Sequence, residues 1–486
     1  MSWNFVRSPT RFLQETFRDF ALRAQLEEYE RWWEERGKAI SSFIDRLGTP
    51  WLRMFDRFGN RVDEIQYPPE YWEMLQTGYK AGAVWRVFEE RTLLPFYLFG
   101  YVTSFYDPGV YCPYTVTLST VVPLWKYGSE AVKTKYLPPL LRRDGNAWQG
   151  ATWMTEVKGG SDLGASVETV ARPQGDYWLL RGEKYFASNV GADVAVVAAR
   201  PEGAPPGVRG LALFLLPRRL EDGRLNYFIR RLKDKIGTRS VPTGEVELLD
   251  SVAYLLGKPE WGIYLILEVL NISRVANSIG SVALAQRAIQ EALAFSEGRV
   301  AFGKRILDHP LLHQQFEERV RTLQLAFALA WEAVQLLDEV WLETPRYSGR
   351  YHLFRLVAHL AKYWTAEVAV QTAKWTMEVH GGAGVLAEYS VERLLREAMI
   401  LPIWEGTPHR QILDGLEVME RREAHHQLFL HLAPYADREA LQEMDERVRS
   451  HLALPPEEKE AQAEGLFGAL AEFTAACALR RLYTRS

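Results

Sequence analysis

Cysteine is nearly absent from this chain: its 486 residues contain two, Cys112 and Cys477. Two cysteines are too few for a disulfide framework or a cysteine-rich metal site, and they fit a reducing compartment. Long apolar runs are also lacking, since the longest, around 194–199 and 211–216, have the length of strands rather than of membrane spans. The N-terminus shows no signal-peptide hydrophobic region. We therefore expect a cytoplasmic protein without a membrane span.

An excess of positive charge is also missing. The 58 lysines and arginines are outnumbered by 62 acidic residues, which gives a net charge of −4. The last segment, 420–486, carries nine basic and twelve acidic side chains. Binding to nucleic-acid phosphates needs clustered positive charge, and the only basic cluster, 218–235, is also typical of a solvated loop. The charge therefore argues against nucleic acid as a partner.

The order of hydrophobic patterns along the chain predicts an α+β protein with several domains. Apolar residues first recur at three-to-four spacing, which is typical of helices. Short β-rich runs separated by Gly, Pro and Asp follow and predict a small β-barrel or sandwich. Long amphipathic stretches then predict a C-terminal four-helix bundle. The predicted segments are an N-terminal helical domain (1–151), a middle β domain (152–257), the helical bundle (258–419) and a short helical extension (420–486).

The first candidate for a ligand-binding segment is TEVKGGSD, residues 155–162. The hydroxyls of Thr155 and Ser161, together with backbone amides freed by Gly159 and Gly160, can hydrogen-bond a flavin ring or a phosphate. A β-turn with a serine cap explains this segment equally well when it is considered alone.

The second candidate is the strand-like segment GEKYFASN, residues 182–189. Phe186 and Ser188 alternate along this strand, so both side chains face one side of it. An aromatic face beside a hydroxyl can cover and bond the edge of an isoalloxazine ring. A half-buried strand with a cross-strand aromatic pair is the alternative interpretation.

The third candidate is EGRVAFGKRILDHPLL, residues 297–312. Arg299 and Phe302 are three residues apart, which would place them on one face of a helix. An arginine at a helix end suits a pyrophosphate, and a phenylalanine beside it suits an adenine. A surface ion pair of Arg299 with Glu297 is the alternative.

One carboxylate stands in an apolar, glycine-bounded stretch near the C-terminus. Glu405 follows the run ILPIW, and poor solvation there would raise its pKa and make it a better base. Upstream, the glycines of HGGAG, residues 380–384, permit close approach of the backbone to a ligand. His380 and His409 have no third ligand at a recognised spacing, so we expect no metal site.

These segments in this order resemble the acyl-CoA dehydrogenase family over roughly residues 111–419. The motifs that carry the resemblance are Thr155-Glu156 through Gly160-Ser161-Asp162, the strand Lys184 to Asn189, Arg299 to Gly303, Gly381 to Gly384, and Glu405 to Thr407. Within the family, the stretches FDRFGNRVDEIQYPPEYWEML, RLKDKIGTRSVPTGEVELLDSVAYLLG and PIWEGT look most similar to the AidB-like branch.

The chain departs from the family pattern at several positions. Phe186 stands where tryptophan is usual, and Glu378, Pro310 and His409 stand where glutamine is frequent, although the AidB type itself carries proline at the Pro310 position. Family members with a relocated base place a glutamate where this chain has Ser273. Because serine cannot be that base, Glu405 is the candidate that remains.

The resemblance implies α,β-dehydrogenation of an acyl-CoA thioester by an FAD-containing homotetramer, with an electron-transfer flavoprotein as electron acceptor. Glu405 would remove the α-proton while the β-hydrogen leaves as hydride to flavin N5, and its backbone amide would help to polarise the thioester carbonyl. Arg299 and Phe302 would reach the FAD of a neighbouring subunit. The cofactor-binding residues implied are Met154, Thr155, Gly160, Ser161, Phe186, Ser188, Arg299, Phe302, Gly381, Gly382, Thr407 and His409.

Two other functions would use the same flavin site. An AidB-like protein associated with DNA damage would bind nucleic acid and show little dehydrogenase turnover, but the acidic segment 420–486 lacks the charge for it. An acyl-CoA or nitroalkane oxidase needs only access of oxygen to the flavin. We rank dehydrogenation first and DNA binding second.

Overall fold

The computed structural model describes residues 3–17 and 22–485, so the part of the first predicted helical stretch at 18–21 lies outside the described residues. Contacts group the chain into two compact units. The first unit comprises Met1–Arg31, Tyr97–Pro108 and Arg274–Ser486, and the second comprises Trp32–Phe96 and Gly109–Ser273. The predicted N-terminal domain, 1–151, is therefore divided between the two units, and the domain boundaries stay a prediction.

Helices, then strands, then helices follow one another along the chain, which confirms the predicted α+β fold class with a β domain in the middle. The helices are α1 (Pro9–Thr16), α2 (Arg23–Trp32), α3 (Lys38–Arg46), α4 (Pro69–Ala81), α5 (Trp85–Glu90), α6 (Leu94–Tyr106), α7 (Pro108–Tyr127), α8 (Glu130–Leu140), α9 (Leu163–Ser166), α10 (Gly262–Gly298), α11 (Pro310–Val340), α12 (Gly349–His380), α13 (Val391–Ala398), α14 (Pro408–Arg422), α15 (Ala424–Leu432), α16 (Arg438–Leu452), α17 (Pro456–Ala461) and α18 (Ala463–Arg485). The strands are β1 (Trp51–Phe55), β2 (Arg61–Gln66), β3 (Gly150–Trp153), β4 (Val170–Gln174), β5 (Tyr177–Ser188), β6 (Val194–Pro201), β7 (Ala212–Pro217), β8 (Phe228–Leu232), β9 (Thr243–Leu255), β10 (Val300–Ala301) and β11 (Lys304–Arg305).

The sheet of the second unit closes on itself. Strand β7 pairs with β9 on one side and with β6 on the other, and β6 is connected back to β9 through β4 and β5. A ring of this kind leaves few open edges and agrees with the predicted β-barrel. Its interior is filled by buried apolar side chains such as Trp153, Leu180 and Phe214.

A hairpin of β1 and β2 lies inside residues 1–151, which the sequence analysis described as a helical domain, so this stretch is not helical throughout. Ile65 of β2 packs into the same apolar core as the barrel strands. Burial of one apolar face against that core stabilises the extended conformation here, and the hairpin therefore groups with the β unit.

In the first unit, α12 packs against both α11 and α14, and α18 packs against α11. Helices α10 to α13 lie where the sequence predicted the bundle helices. The C-terminal extension contacts this bundle at one buried carboxylate. Arg481 of α18 and His431 of α15 both bind Glu332 on α11. Among the described residues, no helix is long and apolar enough to cross a membrane.

Candidate active site

In the β unit, the loop 155–162 is a tight turn anchored by one buried carboxylate. The N–H of Glu156 donates to the carbonyl of Gly159 at 3.3 Å, and the N–H of Gly159 donates back at 3.0 Å. The carboxylate of Glu156 accepts hydrogen bonds of 2.6 Å from Nζ of Lys184 and from Oγ1 of Thr169. Hydrogen bonds to the buried carboxylate of Glu156 therefore fix the turn, which agrees with the interpretation of this segment as a β-turn.

The outer side of this loop carries the predicted ligand groups. Ser161 is exposed, and the hydroxyl of Thr155 has no partner in the part of the chain that the structure describes. A Cβ at Gly160 would lie 2.4 Å from Oγ1 of Thr155, so glycine is required beside that hydroxyl. The short helix α9 that follows is capped by the side chain of Asp162 rather than by Ser161.

Strand β5 runs beside the loop and carries the second candidate pair. The N–H of Tyr185 donates to the carbonyl of Thr155 at 3.0 Å, which brings the loop next to Phe186 and Ser188. The ring of Phe186 is 52% exposed, and Oγ of Ser188 lies 3.2 Å from Oγ1 of Thr243. Met154, which precedes Thr155 in the chain, is buried. An exposed ring beside accessible hydroxyls fits a flat aromatic ligand better than a half-buried strand pair does.

In the first unit, Glu405 lies in a strained turn between α13 and α14. Its φ is +59°, in the left-handed region that residues other than glycine rarely adopt, and Gly406 follows with φ of +100°. Buried donors hold the carbonyls of this turn. Nζ of Lys362 donates to Pro402 at 2.8 Å and to Gly406 at 2.6 Å, and Nε of Arg274 donates to Glu405 at 3.2 Å. Such strain persists only where its surroundings fix it.

The carboxylate of Glu405 is partly buried and makes no hydrogen bond or ion pair with the residues that the structure describes. Burial raises the pKa of Glu405 to about 6, while the charges of Arg274 and Lys362 act in the opposite direction. The partial burial of this side chain agrees with the poor solvation predicted from the sequence. At neutral pH this carboxylate is ionised, unpaired and more basic than an exposed glutamate.

The sequence interpretation missed the polar residues beneath this turn. Lys362 and His359 are buried on α12, and Arg274 is buried on α10. Burial lowers the pKa of Lys362 to about 7 and that of His359 to about 3. The available signal was their spacing, because His359 and Lys362 are three residues apart in an otherwise apolar helical stripe.

The glycine segment after α12 folds as a 3-10 helix, Gly381–Val385. Gly381 has a φ of +58°, and both it and Gly382 are exposed with open space around them. Thr407 is the N-cap residue of α14, and His409 is exposed in the first turn of that helix. Gly381 and Gly382 thus follow the end of α12, whereas Thr407 and His409 lie at the start of α14, and the contact of all four with a cofactor stays a prediction.

His380 has a structural role. Its Nδ1 lies 2.8 Å from the carbonyl of Thr376, and its ring stacks on Phe295 at 4.2 Å between centroids. Among the described residues, no cluster of three or more histidine, cysteine or acidic side chains could hold a metal ion.

The placement of Arg299 and Phe302 on one helix face is wrong. Helix α10 ends at Gly298, and Phe302 lies at the tip of the β10–β11 hairpin, 96% exposed and with φ of +51°. Arg299 is exposed and makes no ion pair within the described part of the chain, because Glu297, its alternative partner, binds Arg7. Both side chains are therefore free to contact another molecule.

Most of the chain matches known domain families. Residues 12–146 match the "Adaptive response protein AidB N-terminal domain", residues 151–251 match the "Acyl-CoA dehydrogenase, middle domain", and residues 260–419 match the "Acyl-CoA dehydrogenase, C-terminal domain". The chain belongs to the acyl-CoA dehydrogenase family. The AidB-type N-terminal domain confirms its predicted similarity to the AidB-like branch.

Two relatives within the family show how far the similarity extends. The chain is 32% identical to "Acyl-CoA dehydrogenase family member 11" of Caenorhabditis elegans over 80% of its own length, and it spans 66% of that protein's length. It is 29% identical to "Putative acyl-CoA dehydrogenase AidB" of Escherichia coli (strain K12), over 80% of this chain and 73% of that protein.

Two solved structures share the fold of this chain. "Bd2924 apo-form" superposes with a TM-score of 0.88 at 29% identity, over 98% of this chain and 96% of that one. The Caenorhabditis elegans structure "ACDH-11 in complex with C11-CoA" superposes with a TM-score of 0.82 at 26% identity, over 98% of this chain and 89% of that one.

Family membership confirms the predicted enzyme class, an FAD-dependent acyl-CoA dehydrogenase, and FAD as the cofactor. The residues of the β unit fit this cofactor. The accessible hydroxyls of Thr155 and Ser161 can accept or donate hydrogen bonds, the glycine at position 160 leaves them open, and the exposed ring of Phe186 offers a flat apolar surface.

Proposed function

We propose that this protein removes the α- and β-hydrogens of an acyl-CoA thioester, with Glu405 as the base that takes the α-proton. The observation that supports this role most directly is the unpaired, partly buried carboxylate of Glu405, whose pKa burial raises to about 6. A base of this strength is mostly ionised at pH 7 and still binds a proton more readily than an exposed carboxylate.

The backbone of Glu405 supports a second role in the same reaction. Its N–H has no acceptor among the described residues, whereas its carbonyl accepts from Arg274 at 3.2 Å and from Gln411 at 3.0 Å. A fixed and unsatisfied N–H can donate to the thioester carbonyl, where negative charge develops as the α-proton leaves. The base and this donor then belong to one residue in a rigid turn.

FAD, when bound, supplies the acceptor for the β-hydrogen, which leaves as hydride. In the β unit, Thr155 and Ser161 would donate hydrogen bonds to it, Phe186 would cover its ring, and Met154, Gly160 and Ser188 would border it. In the first unit, Gly381, Gly382, Thr407 and His409 are proposed as further cofactor-binding residues. These roles follow the family resemblance together with the exposure of Phe186 and the open Thr155 hydroxyl.

We propose a homotetramer because Arg299 and Phe302 are exposed and suited to contact a neighbouring subunit. A phenylalanine that is 96% exposed at a hairpin tip, next to an arginine without an ion pair, is suited to contact a neighbouring subunit. There the guanidinium would bind the pyrophosphate of that subunit's FAD. An electron-transfer flavoprotein is the proposed electron acceptor, and oxygen is the alternative.

The experiment that tests this function is anaerobic bleaching of the purified flavoprotein by saturated acyl-CoA thioesters. The related structure with C11-CoA suggests a panel that includes medium and long chains. Reduction of the flavin in wild type, and its loss in Glu405→Gln, would support the proposal. If no thioester in the panel bleaches the wild type, dehydrogenation is not its reaction. Reoxidation by air or by an electron-transfer flavoprotein then separates oxidase from dehydrogenase.

DNA binding stays the second candidate, because residues 12–146 match the AidB N-terminal domain. The basic cluster does not strengthen it. Arg230 is paired with Glu183 at 2.7 Å and with Glu247 at 3.1 Å, and Lys233 is paired with Glu245 at 2.7 Å. Side chains whose charge is already neutralised within the protein release few counterions from a nucleic acid, so they contribute little to binding it.

A further inference from the structure

Within the residues that the structure describes, the buried cation Lys362 donates hydrogen bonds only to the backbone of the Glu405 turn. Its Nζ donates to the carbonyl of Pro402 at 2.8 Å and to that of Gly406 at 2.6 Å, so the two bonds lie on either side of Glu405 in the chain. The side chain is 1% exposed. A buried ammonium without a carboxylate partner is unfavourable, and its presence here needs a reason beyond packing.

Several other charged or titratable side chains lie near Lys362 and the Glu405 turn. Arg274 faces the turn from α10, His359 and Arg355 lie on α12 as Lys362 does, and Asp414 and Arg410 lie on α14. The pKa of His359 is lowered to about 3 by burial, so it is neutral near pH 6. Burial raises the pKa of Asp414, but its positively charged neighbours, Arg274 and Arg410 among them, lower it overall, so Asp414 stays ionised near pH 6.

Near pH 6, Glu405 is the group of this cluster that is about half ionised, since burial raises its pKa to about 6. Lys362, whose pKa burial lowers to about 7, still carries its proton there. The positive charge of Lys362 favours the ionised form of Glu405, and the negative charge of Glu405 in turn favours the protonated form of Lys362. The two groups therefore influence each other's titration although they share no direct hydrogen bond.

We propose that Lys362 is a positioning residue for the Glu405 base: it fixes the strained turn through two carbonyls, and its charge keeps the carboxylate ionised. The inference rests on the proposed function, in which Glu405 takes the α-proton. In that function Lys362 has two distinct effects: its hydrogen bonds hold the turn, and its charge favours the ionised form of Glu405. Two substitutions distinguish the two effects.

Lys362→Gln keeps a donor that can reach the turn but removes the charge, whereas Lys362→Met removes both. Lys374→Met is the matched control, since Lys374 lies on the same helix, is exposed and pairs only with Glu378. Protonation of Glu405 is followed by infrared difference titration of the flavin-containing protein without substrate, with Glu405→Gln in each background identifying the band. Flavin reduction by acyl-CoA is measured over the same pH range.

Both Lys362 variants are expected to raise the midpoint of Glu405 from about 6 by roughly half to one pH unit, because a nearby opposite charge is lost. Flavin reduction by Lys362→Gln should then be slowed about 1.5- to threefold near pH 6.5 and recover above pH 8. Lys362→Met should stay slow at high pH, because its turn is no longer held. Lys374→Met should behave as the wild type.

Two results would overturn the inference. One is an unchanged Glu405 midpoint in Lys362→Gln. The other is a rate defect in Lys362→Gln that is equally large at every pH, which would show a purely structural effect. The infrared midpoint needs no turnover, so it tests Lys362 even if no acyl-CoA reduces the wild type. In that case the proposed reaction fails while the coupling between Lys362 and Glu405 is still decided.

Discussion

The side-chain amide of Gln411 donates to two successive carbonyls, those of Glu405 and Gly406, at 3.0 Å each. Gln411 lies in the first turn of α14, and its own Oε1 lies 2.9 Å from Nδ1 of His359. The candidate base is thus held through its main chain, while its carboxylate stays free of hydrogen bonds within the described part of the chain. The hydrogen bonds that position Glu405 therefore do not reduce the basicity of its carboxylate, as a hydrogen bond to the carboxylate itself would.

Glu405→Gln should fold and retain FAD, yet lose flavin reduction by acyl-CoA. Glutamine keeps the shape and can hydrogen-bond, but it cannot accept the α-proton. Removal of a general base typically slows a reaction by about 10²–10⁴-fold. Stopped-flow bleaching measures the rate, and Glu378→Gln, an exposed residue paired with Lys374, serves as the control. A rate close to that of wild type would exclude Glu405 as the base.

The rate of flavin reduction should fall as the pH drops below about 6. Because burial raises the pKa of Glu405 to about 6, the carboxylate is ionised above that pH and protonated below it. Only the ionised form can take the α-proton, so the rate should decline about tenfold per pH unit on the acid side and level off on the neutral side. Single-turnover bleaching between about pH 5 and 8 tests this, and an acid limb near pH 4 would contradict it.

Sequence patterns located the parts of the site that lie in contiguous motifs. The desolvated Glu405 could be inferred because it follows an apolar run, and the β-barrel because its strands alternate with turn residues. The cations beneath Glu405 could not be inferred in this way. Arg274 and Lys362 are distant from Glu405 in the chain, and only the packing of α10 and α12 brings them to the turn.

Two errors have local causes. Arg299 and Phe302 have helical spacing, but α10 ends at Gly298 and Gly303 follows Phe302, which favours the hairpin turn that forms. The β1–β2 hairpin was assigned to a helical domain because neighbouring helices dominate its surroundings. Its own signals, the Gly59-Asn60 turn between two short extended runs, were the better guide.

Arg299→Ala should weaken FAD retention and loosen the oligomer together. If this arginine binds the pyrophosphate of a neighbouring subunit's FAD, its loss removes a charge-assisted hydrogen bond of about 1.5–3 kcal/mol. Flavin occupancy after gel filtration and sedimentation of the same sample measure both effects. Arg305→Ala in the same hairpin is the matched control, because Arg305 is paired with Asp308. Full flavin occupancy in Arg299→Ala would show that Arg299 does not bind FAD and is only a surface charge.

FAD, not FMN, should be released when the purified protein is denatured. The family membership and the exposed Phe186 beside Thr155 indicate a flavin site, and Arg299 adds a cation suited to a pyrophosphate, which FMN lacks. Chromatography of the released chromophore decides between the two. Release of FMN, or failure to take up flavin on reconstitution, would contradict the assignment of these residues.

Duplex DNA should bind weakly at physiological salt, with little change as salt rises from about 50 to 200 mM. Affinity for phosphates grows with the number of free cations, and Arg230 and Lys233 of the basic cluster are already bound to glutamates. Anisotropy of a labelled duplex measures the binding. The double variant Glu183→Gln, Glu247→Gln frees Arg230 and should bind DNA more tightly than wild type. Tight, salt-resistant binding by the wild type would instead make nucleic acid a genuine partner, because contacts other than this neutralised cluster would then have to supply the affinity.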